Sequence, residues 1–474
     1  MPQGFLYEQV GRDIAKAIKS GLYSVGERLP SLRQLTIEYS VSLATAVQAY
    51  EYLDEQGLIE SQPKRGYFVR QTKQLVKEPQ ASTPKPKPTK VNVAELAMSL
   101  ITESRQKGLV RLGAAVPGVE TLPLASIARA MAGVARRKYL NAGMYEDAQG
   151  HPELRKQIAR LMRDAGYHAH PEEIIITNGC LEALGLALRV TAKPGDTIAI
   201  ESPTYFGVLQ TIENLGMKAL ELPTHPRDGI DLVSLKKACH RHKVAACILV
   251  PTFNNPLGSC MPEENRRKLV KLLARNKIPL IEDDEYGFLS YSARRPKAIK
   301  AYDERDRVIY CSSFSKTVAP GLRLGWMVSD RYSKAIKYQK FLDNISTAIH
   351  PQLAMAEFLA KGGFRRCTRK AAQIYHHRME QFRAWVSEYF PAGTRLSNPQ
   401  GGFILWLVLP NQVDAFALYH EAMQKKIAIT PGCLFSAQEQ FTHHIRISCG
   451  VVEGDQARRS LRNLAELVKR HIAN

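Results

Sequence analysis

No apolar run in the 474-residue sequence reaches the roughly 18 to 20 residues that a membrane span requires. The opening MPQGFLYEQVGRDIAKAI turns amphipathic where a secretory signal would need an unbroken apolar block. Both absences point to a soluble protein of the cytoplasm. The eight cysteines, Cys180, Cys239, Cys247, Cys260, Cys311, Cys367, Cys433 and Cys449, include no CxxC pair and no zinc-like spacing, which excludes a structural metal or a disulfide framework and fits a reducing compartment. Internal repeats are also lacking, so a solenoid is excluded. Acidic residues are in deficit: 45 Asp and Glu face 66 Lys and Arg, a net charge of +21, which suits a polyanionic partner.

A chain this long exceeds the roughly 250 to 300 residues at which single cores stop growing, so two or more units are expected. The boundary is QTKQLVKEPQASTPKPKPTK, where Pro, Lys, Thr and Ser replace periodic apolar residues. Its PKPKP stretch favours extended polyproline II geometry. The reading is therefore a front domain over residues 1–70, a linker over 71–91 that spaces two units apart, and a body over 92–474. Residues 1–70 hold eight Lys and Arg against eight Asp and Glu, and 71–90 hold five against one, leaving +17 on the remainder. The basic excess lies in the linker and the body.

In the front domain Leu6, Val10, Ile14 and Ile18 recur at helical spacing. A turn at Gly26–Ser31 leads to a short helix, LRQLTIEY. A break at Ser40–Ser42 precedes a longer one, LATAVQAYEYLDEQ, and the strands LIESQ and GYFVR flank a cationic hairpin tip. Helix, helix, turn, helix, hairpin is the order of a winged helix-turn-helix, although a generic protein-binding module shares it. The segments LPSLRQL, SxxTAxxAYxxLxxxGLI and PKRGYFV resemble the DNA-binding domain of the GntR regulators. That resemblance implies double-stranded DNA as partner. Ser31 and Arg33 would contact it from the second helix, Ser42 and Thr45 from the recognition helix, and Lys64, Arg65 and Gly66 from the wing. Leu43 stands where the family often has arginine, which favours an apolar base contact.

From about residue 110 onward, runs suited to buried parallel strands alternate with helical stretches: EIIITN, DTIAIES, VAACILVPT, IPLIEDDEY, RVIYCSS and GWMVSD. This predicts an α/β body with ligands at strand ends. The ordered segments TNGCLEALGL, SPTYFG, FNNPLG, IEDDEYGF, SSFSKTVAPGLRLGW and HHIRIS resemble fold-type I aminotransferases, which use pyridoxal 5'-phosphate. With the front domain, the whole resembles the MocR subfamily of GntR regulators.

The resemblance implies roles residue by residue. Lys316 would be the catalytic amine that condenses with the cofactor aldehyde. Asp283, rather than its neighbour Asp284, would pair with the ring nitrogen. Tyr286 and Asn255 would bond the phenolic oxygen, and Tyr205 would stack on the ring unless it is a structural tyrosine. Gly179, Cys180, Leu181, Ser313, Ser315 and Arg323 would hold the phosphate, and Tyr145 would reach the phosphate of the second subunit of a homodimer. Arg446, with Asn255 beside it, would grip the carboxylate of an amino acid effector or substrate, unless it is a strand-end arginine in a surface ion pair. Two functions remain open at this point: a regulator that senses the cofactor or an amino acid, and a working aminotransferase with a DNA-binding appendage.

Overall fold

The computed structural model describes residues 6–24, 26–55, 58–62, 65–69, 76–137 and 143–473. The chain divides into two compact units, Met1–Leu75 and Val76–Asn474.

In the first unit, helix Leu6–Lys19 turns Val10, Ile14 and Ile18 into the core. Leu6, expected on the same stripe, stands 56 % exposed at the helix start among the described residues. The short helix Leu32–Glu38 opens with a capping box: Gln34 N donates to Ser31 Oγ (3.3 Å) and Ser31 N to Gln34 Oε1 (2.7 Å). Two orphan amides of the first turn are thereby satisfied. Helix Leu43–Glu55 contributes the buried Ala46, Ala49, Tyr50 and Leu53. The hairpin of β1 (Ile59–Gln62) and β2 (Gly66–Val69) follows, and Arg28 bridges to Phe68 as a short third rung. Helix order and wing match a winged helix-turn-helix.

The second unit begins earlier than expected. Composition makes residues 76–90 part of a free spacer, yet they lie along the body. Glu78 takes both Arg227 Nε and Nη2 at 2.7 Å, and Thr224 N donates to Ser82 Oγ (2.9 Å). Gln438 Nε2 donates to Lys85 O (2.9 Å), and β3 (Thr89–Lys90) pairs antiparallel with β6 (Lys218–His225). An extended segment leaves its backbone groups unpaired, and the edge of a sheet offers partners for them. Residues 71–75 lie outside the described residues.

The main sheet contains β4 (Ile174–Thr177), β5 (Thr197–Ser202), β6, β7 (Gly229–Ile230), β8 (Val244–Leu249), β9 (Leu280–Asp283), β10 (Val308–Ser313) and β11 (Gly325–Val328), in the order β3-β6-β5-β8-β9-β10-β11-β4 with β7 beside β6. All six apolar runs are strands, but GWMV is antiparallel to both neighbours, not parallel. The residues between Ser313 and Gly325 hold a 3-10 turn and no helix, too little chain for the crossover that a parallel return needs. Because β11 is the antiparallel member, the carboxyl ends of β4, β5, β8, β9 and β10 all lie at one edge of the sheet, where open α/β sheets take their ligands. A second, antiparallel sheet, β12 (Arg395–Leu396), β13 (Ile404–Val408), β15 (His444–Ser448) and β14 (Thr430–Pro431) in that order, shares a core with helices Gly363–Tyr389, Ala415–Gln424 and Gly454–Ala473. Among the described residues no helix is long and apolar enough to cross a membrane, and no cluster of His, Cys, Asp or Glu could hold a metal.

Candidate ligand cavity and DNA-binding surface

At the carboxyl edge of the main sheet lies a cavity of about 400 Å³. Ten residues singled out from the sequence line it together: Cys180, Leu181, Tyr205, Asn255, Asp283, Tyr286, Ser315, Lys316, Arg323 and Arg446. Gly179 and Ser313 are not part of this lining but touch it, Gly179 against Arg323 and Ser313 through Ser315. Tyr145 does not reach it: this residue is 85 % exposed and borders a separate depression with Ser346–His350.

One end of the cavity is built for an anion. Helix Cys180–Thr191 starts there without a side-chain cap, so its first amides are free of side-chain acceptors. Gly179 has φ +87°, and a Cβ on it would run into the Arg323 guanidinium. Arg323 donates to Asn178 O (3.1 Å) and Pro320 O (3.3 Å) and reaches Ser315 Oγ (3.5 Å), with no carboxylate partner among the described residues. Ser313 Oγ accepts from Ser315 N (3.0 Å), which fixes the turn before Lys316.

At the floor, Asp283 ends β9 and is 4 % exposed. Loss of water, then the charge of Glu285, pushes its carboxyl up to about 8; its side-chain partner is only the thiol of Cys180, at 3.6 Å. Asp284 is used elsewhere, paired with Arg295 and accepting from Tyr310 Oη (2.7 Å). The Tyr286 hydroxyl is closed off from solvent and has no partner among the described residues. Burial lowers Lys316 below the usual lysine value, with Glu285 opposing and Arg446 and Arg323 assisting; its Nζ donates to Ala115 O (2.9 Å). Tyr205 packs its ring at 4.9 Å from Phe206, and burial pushes its hydroxyl up to about 12.

The other end holds Arg446, on β15 opposite Thr430 and Trp406. It is 3 % exposed, which removes the alternative of a surface ion pair. Nη1 donates to Asn255 Oδ1 (3.0 Å), and Nη2 to Gly113 O (2.7 Å) and Thr430 Oγ1 (3.3 Å), while Nε has no acceptor. Phe206 and Phe435 face the guanidinium at 5.7 and 5.1 Å. A buried guanidinium bonded only to neutral groups is an uncompensated charge that an entering carboxylate would neutralise.

These features fit pyridoxal phosphate: a cradle that a Cβ would fill, a buried carboxyl lacking a cation, an orphaned phenol and a desolvated amine. Glu285 and Arg111 are among the cavity residues that the sequence reading missed. Glu285 lies inside the quoted IEDDEYGF segment, and its Oε1 is buried and unpaired. Arg111 precedes the first quoted motif by more than sixty residues, and no local pattern marks it.

In the first unit, Ser31 and Arg33 are exposed at the start of helix Leu32–Glu38. Ser42 Oγ stands 2.9 Å from Thr45 Oγ1 and accepts from Thr45 N (3.1 Å), capping the following helix, with Leu43 exposed beside them. The two helices pack on each other. Arg65 lies over the Phe68 ring at 5.6 Å, and Gly66 has φ +105°. Lys64 falls outside the described residues.

Residues 6–69 match the model for bacterial regulatory proteins of the gntR family, and residues 109–463 match aminotransferase class I and II. The chain is 36 % identical to the uncharacterized HTH-type transcriptional regulator YjiR of Escherichia coli K12, covering 98 % of this chain and 99 % of that one. It is 32 % identical to YdcR of the same organism, likewise described as an uncharacterized HTH-type transcriptional regulator, over 98 % and 99 %. Among solved structures, kynurenine aminotransferase of Pyrococcus horikoshii, in complex with PMP, superposes with a TM-score of 0.75 at 28 % identity, over 80 % of this chain and 95 % of that one.

Proposed function

The chain belongs to the GntR-type bacterial regulators that carry a class I and II aminotransferase domain, the MocR-like architecture, and on that premise we propose how its two units work together. The protein is a DNA-binding transcription regulator of the cytoplasm that holds pyridoxal 5'-phosphate and senses the cofactor, an amino acid, or both. The observation that carries this is the grouping of Lys316, Asp283, Arg323 and Arg446 in one cavity of a chain whose other unit is a winged helix.

When bound, pyridoxal phosphate supplies an aldehyde able to exchange between amines. The chain's own residues do the rest. Lys316, its amine held below the usual lysine value by burial, presents the nucleophile. Asp283 holds a proton at the ring nitrogen, and the Tyr286 hydroxyl with the Asn255 amide faces the phenolic oxygen. Tyr205 covers the ring. The amides of Gly179, Cys180 and Leu181, with Ser313, Ser315 and Arg323, take the phosphate, and in a homodimer the exposed Tyr145 completes the cradle of the second subunit. Arg446, steadied by Asn255, takes the α-carboxylate of the amino acid. Ser31, Arg33, Ser42, Thr45, Lys64, Arg65 and Gly66 form the DNA contact.

A ligand that favours one arrangement of this cavity can bias the equilibrium between DNA-bound geometries by its differential affinity. The second reading, a working aminotransferase, draws support from the same residues, since Lys316 and Asp283 both stand in place. Affinity for the DNA upstream of the protein's own gene, measured with and without pyridoxal phosphate and an amino acid panel, and set beside turnover assays, separates the two. DNA binding indifferent to every ligand, together with turnover, would transfer the conclusion to the enzyme.

A further inference from the structure

Among the charged residues lining the cavity, Arg105, Arg111, Arg323, Arg446 and Lys316 face only two carboxylates, Asp283 and Glu285. Arg323 belongs to the anion cradle and Arg446 to the carboxylate grip. Arg105 is exposed at the rim. Arg111 is different: it makes no side-chain hydrogen bond or ion pair among the described residues, and its Nε is shut off from solvent without an acceptor.

Its position follows from a pairing between distant segments. Val110 N donates to Lys426 O (2.8 Å), Ala428 N to Val110 O (2.9 Å) and Gly113 N to Ala428 O (2.7 Å). Leu112 N also donates to Val110 O (3.0 Å) and Ala114 N to Arg111 O (3.2 Å), so the chain turns here and sends neighbouring side chains different ways. Leu112 is fully buried in the core, while Arg111 and Gly113 line the cavity. Arg111 and Gly113 thus both face the cavity from one turn of backbone. Gly113 O is the group that Arg446 Nη2 holds at 2.7 Å. Two guanidiniums without carboxylate partners therefore line the same wall, one registered to the other through three residues of backbone. Leu100 and Ile101 of helix Ala94–Glu103 also line the cavity and give it apolar wall, next to the polar Ser104 and Arg105.

We propose that Arg111 is a second anion subsite, and that the amino acid taken by this cavity carries an anion at the end of its side chain, with its α-carboxylate on Arg446 and its distal anion on Arg111. The proposal rests on the reading that the cavity binds an amino acid, and it names the class. Selectivity arises chiefly by penalty. A neutral side chain entering beside Leu100 and Ile101 strips water from Arg111 and leaves it unpaired, whereas an anionic one replaces that water with charge-assisted hydrogen bonds.

The test is calorimetric titration of the full-length, cofactor-loaded protein with L-glutamate, L-aspartate and O-phospho-L-serine against L-glutamine, L-asparagine and L-serine. The acidic member of each matched pair that fits should bind about tenfold or more tightly than its neutral counterpart, and the glutamate and phosphoserine arms tell a carboxylate from a phosphate. Arg111→Gln should erase the difference, chiefly by raising affinity for the neutral member now that no charge is stranded, while leaving cofactor uptake unchanged, and Arg111→Lys should keep part of it. Equal affinities in the wild type, or a preference that survives Arg111→Gln, overturn the proposal. The cofactor-free protein is titrated in parallel with glutarate against butyrate. Tighter binding of the diacid, abolished in Arg111→Gln, supports the subsite even if the protein takes up no pyridoxal phosphate, an outcome that strikes only the underlying reading. No preference for glutarate in the wild type overturns the subsite whether or not the cofactor binds.

Discussion

Replacing Asp283 with Asn should stabilise the cofactor-free protein at neutral pH and weaken its hold on pyridoxal phosphate. In the unfolded chain this carboxyl titrates near its usual 3.8, while in the folded protein, shut off from water and facing Glu285, it is pushed up to about 8. Between those values the folded state keeps a proton that the unfolded state releases. The stability contributed by the protonated group is therefore fully present below about pH 4 and is lost progressively as pH rises towards 8. At 1.36 kcal/mol per pH unit, the loss at pH 7 is on the order of 4 kcal/mol if the site stays dry, and less where water follows the charge inward. Asn keeps the shape and the hydrogen-bonding position but never ionises.

The wild type and Asp283→Asn should accordingly have similar stability near pH 4 to 5, with the variant ahead by about 2 to 4 kcal/mol at pH 7 to 8. Urea denaturation of the cofactor-free proteins across this range measures the gap. Glu201, Glu221 and Glu282 are also buried and pushed up to about 8, 7 and 7, so both proteins lose stability with rising pH; the slope from Glu221 and Glu282 cancels in the difference, while Glu201, raised in part by the Asp283 charge, adds a smaller share of the same sign. Loading with pyridoxal phosphate should then reverse the order, since a protonated ring nitrogen gives the Asp283 carboxylate the cation it lacks and gives Asn nothing equivalent. Parallel stability curves from pH 5 to 8 would show that the carboxyl is not shut off from water, and the assignment of Asp283 would lose its physical basis.

Lys316→Ala should remove the covalently held, coloured form of the cofactor yet leave folding and basal DNA affinity intact, while the response of DNA binding to ligands disappears; absorbance and DNA titrations of the same preparation check this. Arg33→Ala and Arg65→Ala should each weaken DNA binding by about 1 to 3 kcal/mol with cofactor uptake unchanged, and unaltered affinity in both would mean that the DNA face is misplaced. Because the front domain is neutral and the excess charge lies behind it, part of the duplex should run over the body. Reversing Arg366, Arg369 and Lys370, exposed on helix Gly363–Tyr389, should then reduce the slope of log affinity against log salt by about 0.9 for each phosphate no longer neutralised; an unchanged slope refutes that path for the duplex.

Much of this architecture is readable where the determining residues are neighbours in sequence. The winged helix shows itself because its turns need particular chemistry, the Ser31 capping box and the left-handed Gly66 among them. The main strands show because burial on both faces demands near-continuous apolar runs. β6 escapes notice for the complementary reason: KALELPTH carries Glu221, a fully buried carboxyl that accepts from Ser436 Oγ (3.0 Å) and Ala437 N (3.1 Å), and that internal polar pairing breaks the apolar run. The direction of β11 is hidden because side-chain pattern carries no strand polarity; only the short connection behind it does.

Residues placed by distant partners show the limit most clearly. Asp283, Tyr286 and Lys316 stand at strand ends or in the turn that follows, so a local motif announces each of them. Arg111 owes its orientation to the pairing of Val110–Gly113 with residues 426–428, more than 300 positions away. The extended Pro-rich segment at 76–90 likewise owes its course to Arg227, Thr224 and Gln438. In both cases the segment read alone, a cation in a short loop and a polyproline-like run, is incomplete, and the partner decides what it does. The chemistry common to aminotransferase folds is thus written in contiguous motifs, whereas the group argued to select the amino acid of this particular chain is set by a long-range register. A change in residues 426–428, with no residue touching the ligand, would then alter selectivity by turning Arg111 away from the cavity.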